Sequence, residues 1–203
     1  MNHTENFDFY KTRLKFPVVG VDEVGRGALF GSVVAAAVIL DKDTIIEGLT
    51  DSKKLTAKKR EFLAQKIRKY AYSWSIGRAS AEEIDNMNIL KATFLAMSRA
   101  VEDLPVRPAF VLVDGNQLPT WEYPSQAIVR GDLLINEISA ASILAKVVRD
   151  QELLELDMIY PGYGLSSNKG YPTRSHLSAL ECFGPTRLHR KSFDPVNRVL
   201  KKK

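Results

Sequence analysis

Two apolar segments of strand length, separated by a glycine-rich turn, are the feature of this sequence that most restricts its fold. The first runs from Phe16 to Val21 and the second from Val33 to Leu40. Apolar runs of this length that end near glycines are typical of buried strands, and two such strands so close in sequence can pair as neighbours. The first segment leads directly into Asp22 and Glu23. The beginning of the chain therefore predicts adjacent strands with acidic residues at the end of the first.

Helix and strand patterns alternate along the rest of the chain. Apolar periodicity predicts helices over 56–71, from Ser80 to about residue 101, over 137–156 and from about 173 to 183. Short apolar runs predict strands at 74–78, 109–113 and 126–129. Three early strands followed by alternating strands and helices favour an α/β domain built around a mixed sheet, and the pattern leaves the strand order open.

The predicted helix over 137–156 must be buried, because its first half, EISAASILAK, is small and apolar on nearly every side. With 45% apolar residues, the 203-residue chain can form one domain with a real core. We expect a core over about 16–158 and a C-terminal extension over about 159–203. We expect disorder in the first dozen residues and in Lys201 to Lys203.

Charge and cysteine content narrow the classes of function. A net charge of +5 favours a polyanionic partner, nucleic acid first. Cys182 is the only cysteine, which excludes an intrachain disulfide and fits the cytoplasm. The start of the chain lacks the layout of a signal peptide, and the apolar run from Ser32 to Leu40 is too short to span a bilayer. The histidines lack partners at metal-binding spacing, so a zinc site is not expected.

Four carboxylates stand at the positions where chemistry is expected: Asp22, Glu23, Asp114 and Asp132. Asp22 and Asp114 each end an apolar, strand-like run, and ligand sites gather at strand ends in open α/β sheets. Clustered acids repel one another unless a cation neutralises them, and oxygen-rich acidic sites select Mg²⁺ or Mn²⁺. Each acid taken alone could instead be a solvated side chain where a strand enters a loop.

Four further segments suit contacts to a nucleic acid. Gly25-Arg26-Gly27 would let backbone approach a ligand closely, although a tight turn explains the same residues. Ser52, Lys53 and Lys54 precede a helix and suit a phosphate, or form a solvated helix start. Tyr171 could stack on a sugar or base, or close the edge of the core. The cluster from His189 to Lys191 could contact a nucleic-acid backbone or form a solvated tail.

Taken together, these segments resemble bacterial ribonuclease HII. The matching pieces, in the family's order, are VVGVDEVGRG ending at residue 27, DSKKL at 51–55, VLVDGN at 111–116, GD at 131–132, ISAASILAKVVRD at 138–150, YPGYG at 160–164, KGYPT at 169–173 and HRKSF at 189–193. They cover the chain from about residue 17 to 193, and as an ordered set they are highly specific. The resemblance implies a ribonuclease-H-like mixed β-sheet flanked by helices, with a C-terminal helical extension.

The resemblance also implies roles for the residues. Asp22, Glu23, Asp114 and Asp132 would be the catalytic acids and metal ligands, the last on a mobile segment. Gly25, Arg26 and Gly27 would sense the ribose 2′-hydroxyl through backbone groups. Tyr171 would stack on the sugar on the DNA side of an RNA–DNA junction, and Ser52, Lys53 and Lys54 would hold phosphates. Asp150 is expected to be structural and to pair with a nearby base.

The expected activity is hydrolysis of the RNA strand of RNA–DNA hybrids and cutting 5′ to single ribonucleotides embedded in duplex DNA. A pair of Mg²⁺ or Mn²⁺ ions would promote in-line attack of water and leave a 3′-hydroxyl and a 5′-phosphate. We expect a monomer, while the sequence sets neither the preferred ion nor the rate. Such enzymes can bind a sliding clamp, but the tail carries no binding motif that supports one.

Two departures from the family pattern stand out. Ala28-Leu29-Phe30 replaces an expected proline-containing run, and Arg130 replaces a usual lysine. The related ribonuclease HIII has lysine in place of Arg26 and a long N-terminal domain, which disfavours that family here. Two rivals stay open: a non-catalytic nucleic-acid-binding module, which would not need all four acids, and a nuclease for plain DNA, which would need neither GRG nor Tyr171.

Overall fold

A five-stranded mixed sheet forms the centre of the molecule. The computed structural model describes residues 14–202. The strands are β1 (Val18–Val24), β2 (Val33–Ile39), β3 (Ser73–Ala79), β4 (Phe110–Asp114) and β5 (Ser125–Ile128). They lie in the order β3-β2-β1-β4-β5, with β1, β2 and β3 antiparallel and β1, β4 and β5 parallel. The two predicted neighbours, β1 and β2, do pair.

Helices cover both faces of this sheet. They are α1 (Ala57–Tyr70), α2 (Ala81–Met87), α3 (Ile89–Glu102), α4 (Gly131–Leu134), α5 (Asn136–Ile159), α6 (Leu165–Asn168), α7 (Arg174–Phe183) and α8 (Asp194–Lys201), with a short 3₁₀ helix at Ser52–Lys54. Within residues 14–202, no helix is both long and apolar enough to cross a membrane.

Strand β2 shows why the sheet needs two covering layers. Every residue of β2 is buried, as its uniformly apolar sequence predicts. Its alternate side chains separate into two cores: Ala35 and Ala37 pack with helix α3, while Ala36 and Val38 pack with α1 and α5. The α/β class is therefore confirmed.

Helix α5 lies closer to the sheet than most side chains would permit. A Cβ built on Gly20 of β1 would lie 2.2 Å from the carbonyl carbon of Glu137. The glycine therefore lets the start of α5 approach the strand, and the small residues Ala140 and Ala141 continue the contact with no exposed surface. The predicted burial of this helix is confirmed.

Three predictions about secondary structure need correction. The single helix expected from Ser80 is two helices, because Asn88 has a φ of 74° and caps α3 by accepting hydrogen bonds from the backbone N–H of Leu90 and Lys91. Helix α6 lies between the helices predicted over 137–156 and from about 173 to 183, where the pattern predicts no helix. Lys201, expected to be disordered, ends helix α8. The disorder expected for the first dozen residues and for Lys203 lies outside the described residues.

Candidate active site

Two of the predicted acids lie side by side because their strands are parallel. Val21 of β1 pairs with Val113 of β4, so Asp22 and Asp114, the next residue in each strand, come side by side. Strand β1 does not end at Asp22, because it continues to Val24 in pairing with β2. Asp22 is buried, with only 6% of its surface exposed. Both acids lie near the carboxyl ends of the parallel strands, as the sequence predicts.

The surroundings of the Asp22 carboxylate destabilise its ionised form. Burial raises its pKa well above the usual value, and the charges of Glu23 and Asp114 raise it further. Hydrogen bonds from the Glu23 backbone N–H, at 2.7 Å, and from Ser142 oppose this rise. A cation at this position would relieve the repulsion.

Glu23 shares the same environment. Burial raises its pKa, and Asp114 adds to the rise, while the guanidinium of Arg26 opposes it. Arg26 Nη1 lies 3.5 Å from Glu23 Oε1. Arg26 is half-exposed, so this ion pair is weak and can open.

Asp132 reaches the site from the start of helix α4. Asp114 Oδ1 accepts a 2.7 Å hydrogen bond from the backbone N–H of Gly131, which ties α4 to the end of β4. Asp132 is 8% exposed, and its pKa is raised by burial, then by Asp114 and Asp51, while Lys53 opposes the rise. The structure therefore brings all four predicted acids into one electrostatic cluster.

The segment DSKKL lies beside this cluster. Asp51 caps the 3₁₀ helix by accepting a hydrogen bond from the backbone N–H of Lys53 at 2.8 Å. Ser52 is buried, with its hydroxyl 3.0 Å from that of Ser142, the residue that also contacts Asp22. Lys53 and Lys54 are exposed. The lysines therefore face solvent next to the acids, whereas Ser52 packs beneath them; a phosphate contact by these residues stays a prediction.

A buried arginine supports the turn that begins with Gly25. Gly25 has a φ of +92°, and a Cβ at this residue would lie 2.4 Å from Nε of Arg149. Arg149 is 1% exposed and donates to the carbonyls of Ser32, Phe30 (3.0 Å) and Lys169 (3.4 Å). The glycine is thus required both for backbone conformation and for space.

A second buried arginine comes from the C-terminal cluster. Arg190, with no exposed surface, donates from Nε to the carbonyl of Gly31 at 2.9 Å and from Nη1 to that of Arg26 at 2.8 Å. Burial, with a smaller effect of Arg149, lowers its pKa to about 9. The view of this cluster as a solvated tail is wrong for His189 and Arg190, which are buried, while Lys191 is exposed.

Tyr171 lies next to the GRG turn although the two are far apart in sequence. A Cβ built on Gly27 would lie 3.8 Å from Cε1 of the Tyr171 ring. The backbone N–H of Leu29 donates to the carbonyl of Gly170 at 2.7 Å and joins the two segments. The structure therefore places the two predicted sugar-contacting elements on one surface.

A groove extends from the acids toward helix α3. Its volume is about 240 Å³, and its lining includes Glu23, Arg26, Asp114, Leu90 and Phe94. The groove combines charged and apolar walls. A larger, mostly apolar cavity of about 410 Å³ near Phe16 and Ile46 contains none of the four acids, and we do not assign it to the chemistry.

The buried arginines and Ser142 are the residues that sequence reasoning missed. Arg149 follows an apolar helix segment, and a charge in such a segment signals a buried contact, but its partners Ser32 and Phe30 are more than 100 positions away. The structural interpretation of Asp150 is confirmed, because it pairs with Lys146 at 2.8 Å and with Arg60 at 4.0 Å.

The sheet and its acid cluster place the protein in the class of nucleases with a ribonuclease H fold. The ribonuclease H2 of Pyrococcus horikoshii superposes with a TM-score of 0.76, at 26% identity, over 91% of this chain and 97% of that chain. A ribonuclease HII from Archaeoglobus fulgidus, solved in a complex with PCNA, gives a TM-score of 0.71 at 24% identity over 90% and 96% of the two chains. The predicted ribonuclease-H-like fold is thus confirmed.

Sequence comparison specifies the family. A family model described as ribonuclease HII matches residues 19–196. The ribonuclease HII of Alteromonas mediterranea is 59% identical over 186 residues, which are 92% of this chain and 98% of the relative. That of Vibrio vulnificus is 57% identical over 183 residues, 90% and 88% of the two chains. The chain belongs to the ribonuclease HII family and is an endoribonuclease.

Proposed function

We propose that this protein hydrolyses the RNA strand of RNA–DNA hybrids and also cuts 5′ to single ribonucleotides embedded in duplex DNA, leaving a 3′-hydroxyl and a 5′-phosphate. The observation that supports this most is the placement of three elements on one surface. The acid cluster at Asp22 and Asp114, the GRG turn and the Tyr171 ring adjoin one another. The acids would then act on the phosphate while the GRG turn and Tyr171 contact the neighbouring sugars of the same substrate.

The donor set of the acid cluster suits a hard divalent cation. All four side chains offer carboxylate oxygens. Burial, and after it the charges of neighbouring acids, raises the pKa of Asp22, Glu23 and Asp132, and a bound cation would offset both effects. Within residues 14–202, no three or more His, Cys, Asp or Glu side chains already surround one point as metal ligands.

Asp22, Glu23, Asp114 and Asp132 would hold a pair of Mg²⁺ or Mn²⁺ ions. When bound, such ions supply the positive charge that activates an attacking water and stabilises the leaving 3′-oxygen. The protein's own contribution is positioning. Ser142 and the Glu23 backbone fix Asp22, and the Gly131 N–H fixes Asp114.

Selection of RNA must depend on the 2′-hydroxyl, the group that separates the two sugars. Arg190 holds the carbonyl of Arg26 on the buried side of the turn. In a trans peptide the next N–H points the opposite way, so the Gly27 N–H is directed away from Arg190. This orientation supports a role for the turn's backbone in contacting the ribose.

Tyr171 would test the following sugar. A ring pressed against a deoxyribose leaves little room for a 2′-hydroxyl, so the preferred substrate would be a ribonucleotide followed by DNA. Losing the ring should cost stacking worth about 1–3 kcal/mol if it resembles base stacking. The loss should be smaller on continuous RNA, where the stacking is poorer.

Cleavage of three duplexes tests this function. We expect metal-dependent cutting of an RNA–DNA hybrid and of a duplex with one ribonucleotide, and no cutting of an all-DNA duplex. The Tyr171→Ala variant should lose more kcat/KM on the single ribonucleotide than on the hybrid. Binding without cleavage would indicate a non-catalytic module, and cutting of plain DNA would indicate a DNA nuclease. Equal losses on both substrates would make Tyr171 a packing residue.

A further inference from the structure

A pair of buried histidines lies behind the loop that carries Tyr171. His176 of helix α7 has no exposed surface and His189 is 1% exposed. Their Nε2 atoms are 3.3 Å apart, within hydrogen-bond distance. Both groups are kept from contact with solvent, and the mechanism above uses neither.

The hydrogen bonds of this pair determine where its protons lie. The backbone N–H of Thr186 donates to His189 Nδ1 at 3.0 Å, so Nδ1 carries no proton. A neutral His189 must then be protonated at Nε2 and donate to His176 Nε2. His176 in turn must carry its proton on Nδ1, which lies 3.0 Å from the carbonyl oxygen of Tyr171. The bonds form a single directed chain from Thr186 to Tyr171.

The surroundings keep the pair neutral. Burial is the largest effect on both rings; it lowers the pKa of His176, and with the nearby His176 it lowers the pKa of His189 to about 4. The Tyr163 ring packs at 5.0 Å from that of His189, and its hydroxyl donates to the Gly184 carbonyl and not to a histidine. The directed chain is therefore the form present at neutral pH.

The chain of hydrogen bonds ends on the backbone carbonyl of Tyr171, the residue whose ring lies beside Gly27 of the GRG turn. The Tyr171 carbonyl also accepts from the Thr173 N–H at 2.7 Å, and the Tyr171 N–H donates to the Asn168 carbonyl at 3.0 Å. These two local bonds shape the loop itself. The bond from His176 connects the loop to the segment around residues 186–189, which is anchored beside Phe30.

We infer that His176 and His189 are positioning residues that hold the Tyr171 ring against Gly27 and so set the preference for a ribonucleotide followed by DNA. This inference rests on the proposed function, because the preference itself depends on Tyr171. The ligand affected is the deoxyribose on the DNA side of the junction.

Two substitutions of one residue separate positioning from packing. The amide nitrogen of His176→Asn can occupy the place of imidazole Nδ1 and keep the bond to Tyr171. His176→Gln places its amide near Nε2, so it keeps the contact with His189 and loses the one with Tyr171. We expect the Gln variant to lose about tenfold in kcat/KM on the single-ribonucleotide duplex, and less on continuous RNA, as expected for lost stacking. The His176→Asn variant should keep the ratio of kcat/KM on the two substrates close to that of the unsubstituted protein.

The Tyr171→Ala variant, measured in parallel, distinguishes failure of the proposed function from failure of the positioning inference. If Tyr171→Ala lowers kcat/KM equally on the single-ribonucleotide duplex and on continuous RNA, the proposed junction preference is wrong, and this inference is wrong with it. Two outcomes would overturn only the positioning inference, provided that Tyr171→Ala loses more kcat/KM on the single-ribonucleotide duplex. In the first, His176→Gln lowers kcat/KM equally on both substrates. In the second, His176→Asn and His176→Gln have the same effect. In the variant that combines Tyr171→Ala with His176→Gln, the second substitution should cause no further loss specific to the single-ribonucleotide duplex, because the Tyr171 ring is already absent.

The tautomers can be measured without activity. In two-bond ¹H–¹⁵N spectra of the unsubstituted protein at neutral pH, we expect His189 to be protonated at Nε2 and His176 at Nδ1. The His176→Asn spectrum assigns the signals, since one histidine is then missing. The opposite tautomers would overturn the inference even if the Gln variant failed to fold.

Discussion

Asp22 illustrates, at the scale of one residue, why the proposed cation site would be costly to the metal-free fold. Its carboxylate is buried among like charges, and its raised pKa means that the ionised form is less stable in the folded protein than in water. A cation that binds the folded state would recover this energy. The same atoms that weaken the metal-free protein therefore favour metal binding.

The Asp22→Asn substitution should separate these two effects. We expect cleavage to fall by orders of magnitude, while the metal-free protein becomes more stable by about 1 kcal/mol near neutral pH, because a strained charge is removed. The measurements are cleavage in saturating Mg²⁺ and urea unfolding in chelator. Glu122→Gln, at an exposed acid, is the matched control and should change neither.

The stability difference has a defined pH dependence. The folded-state pKa of Asp22 lies above its unfolded value, so the original protein gains stability as the pH falls through the folded pKa toward the unfolded value near 4. The Asn variant lacks this gain. The extra free energy of unfolding of the Asn variant over the original protein should therefore be largest near pH 8 and smaller in acid. A difference that grows in acid would contradict this account.

At the scale of elements, the 3₁₀ helix at Ser52–Lys54 combines a buried anchor with exposed charge. Ser52 faces Ser142, and Arg60 donates to the carbonyls of Ser52 and Leu55 at 2.9 and 2.6 Å. The lysines that follow face solvent near Asp132. Such an element can present cations to a nucleic acid at a fixed place beside the acids.

Replacing Lys53 and Lys54 together with alanine should flatten the salt dependence of binding to a hybrid duplex. Each lost phosphate contact removes about one unit from the slope of log K against log salt, because fewer counterions are released. Lys58 and Lys59, an exposed pair in helix α1, provide a control of equal charge. An equal change in both double variants would mean that only net charge matters.

Helices α2 and α3 show why an element boundary was misplaced. The predicted helix start at Ser80 is confirmed, because Ser80 and Glu83 form a capping box at the start of α2. The break at Asn88 was missed because the apolar period continues across it, although asparagine tolerates positive φ and is a good N-cap. Helix α8 was also missed, and its start at Asp194-Pro195 carries the residues typical of a first helical turn.

At the scale of the whole molecule, the buried arginines join distant parts of the chain around one turn. Arg190 reaches Arg26 and Gly31 from the C-terminal segment, and Arg149 reaches Phe30 and Ser32 from helix α5. Each donates to carbonyl groups that would otherwise be buried without partners. The GRG turn therefore depends on these tertiary contacts as well as on its glycines.

Arg190→Met should lower the free energy of unfolding by about 3 kcal/mol and reduce cleavage. It removes two hydrogen bonds from a charged donor, each worth about 1.5–3 kcal/mol, and leaves two carbonyls unsatisfied. Urea unfolding and hybrid cleavage measure the two effects. Arg187→Met, at an exposed neighbour, should change stability by less than about 0.5 kcal/mol. Equal effects in both variants would contradict a structural role for Arg190.

The sequence by itself determined the fold class and the family, and it predicted which four acids form the site. Strand and helix periods are local properties, and the motifs around Asp22, Asp114 and Asp132 are contiguous, so both can be recognised without knowing what lies nearby in space. Only the tertiary structure decided the strand order, the contact of Tyr171 with Gly27, the burial of Arg149 and Arg190, and the histidine chain. The reason is physical: these contacts join residues far apart in sequence, 164 positions for Arg26 and Arg190. Their partners are mostly backbone groups, which every residue carries and no sequence pattern marks.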